Sequence, residues 1–209
     1  MKNKVIYKAS DYVPYELLEW VKMKEWERIG HSKDFYLPQE GVKLILYLLE
    51  PLWRKFEKPK FFIDDKQFVE GIHSTNPIIR DNVKASFYYG GNNSFIILKL
   101  NDKNKISLEA LLHEIIHYCR YCSGILTLSS NKDVEEEETE LITDLIFRPL
   151  KSIVYELIRA YDAYLTVREM NFKFPEYPLW KINSSYKRLF DNSLKIFILL
   201  LSKKDGTDS

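Results

Sequence analysis

Apolar residues recur along this chain in two patterns, one typical of helices and one typical of strands. Helical spacing occurs in four segments, at residues 14–28, 38–56, 150–169 and 180–201. Three shorter segments are typical of strands, at residues 60–63, 83–89 and 95–100. The Gly-Gly-Asn-Asn run at 90–93 predicts a hairpin between the last two strands. We therefore expect an α+β fold that is mostly helical and has a small antiparallel sheet.

The order of these segments suggests how the chain is organised. We expect residues 1–58 to form an N-terminal helical layer and residues 59–201 to form the core. The polar residues 202–209 are expected to be a disordered tail. The apolar run at 196–201 is too short to span a bilayer, so we expect it to be the buried part of the last helix.

A further helix is predicted directly after the hairpin. Ser107 is a favourable residue for its N-cap, and Glu109 follows in the first turn. Its apolar stripe consists of Ile106, Leu108, Leu111, Leu112, Ile115 and Ile116. Such a stripe predicts a helix that is largely buried.

Composition narrows the classes of function. The chain has 31 Lys and Arg residues against 30 Asp and Glu residues, a net charge of +1. This balance does not favour binding to nucleic acid or to an anionic membrane. The first residues lack the apolar segment of a signal peptide, so we expect an intracellular, cytoplasmic location.

Two of the four histidines flank a glutamate on the predicted buried helix, in the order His113, Glu114, His117. Side chains four apart on a helix lie on one face, so both imidazoles can bind one metal ion. Zinc in a catalytic site needs a third protein ligand and keeps one position open for water. Glu114 is placed to accept a proton from that water.

The third ligand is expected to be a carboxylate, because no histidine follows His117. Asp133 is a candidate N-cap, and the glutamates at 135–138 are favourable in the first turn of a helix exposed to solvent. Glu140 and Asp144 differ, because they lie in an otherwise apolar stretch and share one helical face. One of them can bind the metal while the other orients a histidine ligand.

The pattern from His113 to His117, followed by Gly124 and by Glu140 and Asp144, resembles the active-site core of the gluzincin, thermolysin-like, zinc metallopeptidases. The resemblance implies a zincin-like fold and Zn²⁺ bound by His113, His117 and Glu140. It also implies Glu114 as general base and Asp144 hydrogen-bonded to a ligand histidine. The connection from His117 to Glu140 is longer than in that family, which leaves Glu136 as the alternative ligand with Glu140 behind it.

The resemblance also implies that an edge strand of the small sheet binds the substrate backbone, and residues 83–89 or 95–100 are the candidates. The sequence does not determine which residue would donate a hydrogen bond to the oxyanion. The downstream histidine of the family is absent, and Tyr155, Arg159 and Tyr161 are candidates by position only. Cys119 and Cys122 do not face the two histidines on a continuous helix, so we expect a buried thiol pair rather than a zinc site.

These observations predict a zinc-dependent metallopeptidase that acts on a peptide or protein substrate through a metal-activated water. The first alternative is a zincin-like binding or regulatory protein with little or no catalytic activity, which the missing downstream histidine favours. The second alternative is zinc-dependent hydrolysis of a non-peptide amide, because the metal chemistry would be the same.

Overall fold

The computed structural model describes residues 12–14, 35–39, 41–54, 56–64, 84–88, 94–102, 104–125, 131–169, 176–178 and 184–202. This part of the chain is mixed α and β and mostly helical. The strands are β1 (Tyr12–Pro14), β2 (Tyr36–Pro38), β3 (Lys60–Asp64), β4 (Ala85–Tyr88), β5 (Phe95–Lys99), β6 (Lys105–Ser107) and β7 (Glu176–Pro178). The helices are α1 (Gly41–Leu48), α2 (Glu50–Trp53), α3 (Leu108–Cys122), α4 (Lys132–Glu169) and α5 (Ser184–Ser202).

The three-stranded sheet precedes α3 and has β5 at its centre. β4 pairs with β5 in antiparallel fashion, with Phe87 opposite Ile96, so the predicted hairpin pairing is confirmed. β3 joins the other side of β5 in parallel. Two short antiparallel pairs, β1 with β7 and β2 with β6, complete the described strands. β4 is therefore an edge strand, and it is the strand of this sheet that packs most closely against α3.

Helix α3 runs through the centre of the hydrophobic core. The six residues of its predicted apolar stripe are all fully buried, so the prediction of a buried helix is confirmed. Ser107 is its N-cap, and the hydroxyl accepts a hydrogen bond from the N–H of Ala110 at 3.3 Å. Apolar residues of α1, α2, α4 and α5 belong to the same core, which fixes α3 on several sides.

Several predicted boundaries differ from the structure. The helix expected at 38–56 is divided at Leu49 into α1 and α2, because Pro51 in the first turn of α2 has no N–H to continue a hydrogen-bond ladder. Asn131, rather than Asp133, caps α4, since its side chain accepts from the N–H of Asp133 at 3.1 Å. The helix expected at 14–28, apart from its first residue, and the tail beyond Ser202 lie outside the described residues.

Two helices differ from expectation more extensively. The segment expected to begin a new helix at residue 150 is part of α4, which continues through Pro149. The apolar run at 196–201 is only partly buried, because Phe197 and Leu201 face the core whereas Ile196, Leu199 and Leu200 are exposed. A stretch that is apolar around its whole circumference cannot all face a core on one side.

Among the described residues, none of the helices has the length and apolar character needed to cross a bilayer.

Candidate metal centre

His113 and His117 lie one turn apart on α3 and point toward each other. Their Nε2 atoms are 2.8 Å apart, and the two rings meet edge to face. At this separation the two nitrogens can share a hydrogen bond when one ring carries its proton on Nε2, and when both Nε2 atoms are unprotonated their lone pairs can bind one metal ion. The prediction that the two histidines converge is met by this geometry.

Glu136 of α4 supplies a carboxylate oxygen to the same point. Its Oε2 atom lies 3.2 Å from Nε2 of His113 and 3.5 Å from Nε2 of His117. Donors held tetrahedrally around zinc at about 2.0–2.1 Å lie about 3.3 Å from one another. The three observed separations bracket that value, so this donor set could hold a metal ion of the size of zinc.

Glu135 contacts the opposite nitrogen of His117. Its Oε1 atom is hydrogen-bonded to Nδ1 of His117, and both side chains are largely buried. A carboxylate that accepts from Nδ1–H leaves the lone pair of Nε2 directed at the donor cluster. Burial, with His113 and Arg120 acting in the same direction, lowers the pKa of His117 to about 4 against the pull of Glu136. The neutral imidazole is the form that binds metal.

Glu114 lines the same pocket. Burial raises its pKa to about 8, and the carboxylates of Glu136 and Glu135 act in the same direction. A hydrogen bond from the backbone N–H of Phe87 opposes this rise by stabilising the charged form. A carboxyl group with such a pKa can both accept and return a proton near neutral pH.

The pocket has a volume of about 290 Å³ and joins α3, α4 and β4. Its described lining residues are Ser86, Phe87, His113, Glu114, His117, Lys132, Glu135 and Glu136. Lys132 is the only lysine or arginine among them, and the sequence did not predict it as a site residue. β4 forms one wall of the pocket through Ser86 and Phe87.

The pairing register of β4 with β5 determines which backbone groups of β4 point away from β5. The N–H of Lys99 donates to the carbonyl of Lys84 at 3.0 Å, so residues 84, 86 and 88 direct their peptide groups at β5. Ala85 and Phe87 therefore direct theirs away from β5. The N–H of Phe87 that reaches Glu114 is on this outer side.

The structure brings together three of the five site residues expected from the sequence. His113, His117 and Glu114 share the pocket, whereas Glu140 is exposed, Asp144 is half-buried, and neither belongs to the donor cluster. Glu136, which the sequence left as the alternative ligand, occupies the position expected for Glu140. Glu135 makes the histidine contact expected for Asp144.

The shift of one turn follows from how α4 crosses α3. Arg120 donates through Nη1 to the hydroxyl of Thr139 at 3.1 Å and to the carbonyl of Glu135 at 3.4 Å. These contacts place the first two turns of α4 beside His117. The long His117-to-Glu140 connection was the one signal in the sequence that favoured Glu136.

The remaining candidates are not part of this pocket in the described residues. The ring of Tyr155 packs edge to face on Phe35, and the side chains of Arg159 and Tyr161 lie outside the described ones. Cys119 is buried and Cys122 half-buried, both as free thiols whose pKa values burial raises. Neither belongs to the metal-donor cluster.

Comparison of the chain with known protein families, with curated proteins and with solved structures gives no match.

Proposed function

We propose that this protein is a zinc-dependent peptidase of gluzincin type with a zincin-like fold. The main support is the spacing of the three donor atoms of His113, His117 and Glu136, which lie 2.8 to 3.5 Å from one another. A second support is Glu114, because a binding scaffold has no chemical need for a carboxyl group beside its metal donors.

The metal and the side chains of the protein would have separate roles in the reaction. Bound zinc would supply an acidified water and polarise the substrate carbonyl. Glu114 would take the proton of the attacking water and return it to the leaving amine, because its carboxyl group lines the same pocket as the three metal donors. Glu135 keeps the Nε2 lone pair of His117 directed at the donor cluster.

The outer edge of β4 is the proposed binding site for the substrate backbone. An extended peptide can pair with the N–H and carbonyl groups of Ala85, which point away from β5, while its scissile bond lies over the pocket. The N–H of Phe87 on the same side is already bonded to Glu114. Lys132 is the proposed donor to the oxyanion, because it is the cation among the described lining residues.

Metal content and proteolysis together test this proposal. Wild-type protein purified without chelator is expected to hold about one zinc ion per chain and to cleave an unstructured protein such as casein. Glu136→Ala is expected to lose both properties. Glu140→Ala is the matched control, since it removes an exposed glutamate one turn away on the same helix, and it should retain the metal.

The outcomes separate the alternatives. If Glu140→Ala loses zinc and Glu136→Ala retains it, the donor set is the one that the sequence resemblance implied. If zinc binds through Glu136 but no peptide is cleaved, a metal-binding scaffold replaces the peptidase. A wild-type chain that takes up no zinc when it is supplied would falsify the whole proposal.

A further inference from the structure

A second pocket, of about 360 Å³, lies between α3, α4 and α5. It shares no described lining residue with the metal pocket. Its apolar lining consists of Ile125, Leu141, Ile142, Phe197, Leu200 and Leu201. Apolar walls around a few polar groups, at this volume, are typical of small-molecule sites.

Arg120 is the only cation in the described lining of this pocket, and it is almost fully buried. Its Nη1 atom donates to Thr139 and to the carbonyl of Glu135. Its Nε–H is buried and has no acceptor among the described residues. A buried donor without a partner is destabilising, so an acceptor that reached this Nε–H would be bound favourably.

The partner of Nη2 is exchangeable. Nη2 pairs with the carboxylate of Glu138, whose side chain is 56% exposed, whereas that of Arg120 is only 6% exposed. An exposed glutamate can turn into solvent and recover its hydration when another carboxylate takes its place beside the buried guanidinium. A carboxylate that entered from the pocket could then bind Nη2 and Nε together, which is a strong geometry for arginine.

Two leucines of the pocket lining are exposed. Leu141 is 71% exposed and Leu200 is 43% exposed, on two helices that pack against each other. Exposed leucines beside a buried guanidinium offer a surface for an apolar chain next to a site for an anion. A neutral apolar ligand would leave the arginine donor unmet, and a cationic one would be repelled by it.

We propose that this pocket binds a small anionic amphiphile, a carboxylate with an aliphatic tail. The carboxylate lies against Arg120, and the tail lies against Leu141, Leu200 and Phe197. This proposal does not rest on the peptidase proposal, because the two pockets share no described lining residue.

Calorimetric titration with three probes of equal chain length tests the chemistry of the site. Sodium decanoate, below its micelle concentration, is expected to bind with one site per chain and at least about tenfold more tightly than decan-1-ol. Decyltrimethylammonium is expected not to bind. Equal affinity for all three probes, or no binding of decanoate, overturns the proposal.

Two pairs of variants locate the site. Leu200→Asp should weaken decanoate binding about tenfold or more, whereas Leu199→Asp, on the same helix and also exposed but outside the lining, should not. Glu138→Gln removes the competing carboxylate and should tighten binding about fivefold, with Glu137→Gln unchanged. Equal effects within either pair overturn the location, and circular dichroism checks that each variant is folded.

Discussion

The hydroxyl oxygen of Ser193 on α5 lies 3.0 Å from the carbonyl oxygen of Leu145 on α4. That carbonyl is the group whose helical donor would be the N–H of residue 149, and residue 149 is proline. Ser193 is buried, and its hydroxyl can also donate within α5 to the carbonyl of Leu189 at 2.9 Å. A side chain from the neighbouring helix thus provides a donor where Pro149 removes one, and α4 continues through the proline.

Replacing this serine should therefore destabilise the protein in a way that depends on the proline. We expect Ser193→Ala to lower the free energy of unfolding by about 1 kcal/mol, because the partly buried carbonyl of Leu145 loses its donor. In a Pro149→Ala background the helix supplies an N–H to Leu145, so the same serine change should cost much less. Urea unfolding of the four proteins measures this coupling.

Ser202→Ala is the control for this cycle. Ser202 makes the same type of hydrogen bond within α5, to the carbonyl of Ile198 at 2.9 Å, but it is exposed. Its replacement should change stability by less than about 0.5 kcal/mol. Equal costs of Ser193→Ala in both backgrounds would show that the hydroxyl does not compensate for Pro149.

Glu135 should affect metal affinity without being a ligand. Glu135→Ala removes the acceptor at Nδ1 of His117, and we expect zinc affinity to fall about 10- to 100-fold with one ion still bound at saturation. Glu135→Gln keeps an acceptor and should recover part of the loss. Competition against a zinc chelator gives both affinity and stoichiometry.

The neighbouring Glu137 provides the matched control, because it is exposed on the same turn. Glu137→Ala should bind zinc like the wild type. A loss of binding in Glu135→Ala as complete as that in Glu136→Ala would instead make Glu135 a direct ligand.

The metal-free protein should lose stability as the pH rises from about 6.5 to 8. The pKa of Glu114 is about 8 in the folded chain against an ordinary 4.5, so in this window the folded state holds a proton that the unfolded state has released. His117, with a folded pKa of about 4 against 6.5, acts in the opposite direction, but its contribution is nearly complete at about pH 7.5, where the unfolded imidazole is mostly neutral. The decrease above that pH therefore reports Glu114.

Denaturant unfolding with chelator present, at several pH values in this window, measures the slope. Glu114→Gln cannot titrate and should show a much flatter profile, while Glu137→Gln should keep the wild-type slope. The same decrease in Glu114→Gln would assign the effect to another group.

Gly124 should be required for its backbone conformation rather than for space. It follows α3 with a φ of 70°, and the N–H of Ile125 returns to the carbonyl of Arg120 at 3.0 Å. A Cβ atom there would meet nothing within 4 Å. Gly124→Ala should therefore cost about 1 kcal/mol from left-handed strain alone, and Gly124→Asn should cost less. Thermal unfolding measures both, and equal stability of all three proteins would contradict this assignment.

The elements with strong local signals were predictable from the sequence. The buried stripe of α3, the Ser107 cap and the antiparallel pairing of β4 with β5 all follow from periodicity, capping and turn residues. The break at Leu49 and the continuation through Pro149 were not predicted. In both cases a proline decides the outcome only together with its surroundings, as the Ser193 contact illustrates.

The candidate site, like the fold, was predictable from the sequence only in part. The sequence by itself determined that His113, Glu114 and His117 share one region of a helix, because helical geometry fixes side chains four apart on a common face. It could offer several carboxylates of α4 but could not choose among them. Only the tertiary structure decided that Glu136 reaches both histidines and that Glu135 reaches Nδ1 of His117. These contacts depend on where α4 crosses α3. The crossing point is set by long-range packing between Arg120 and Thr139.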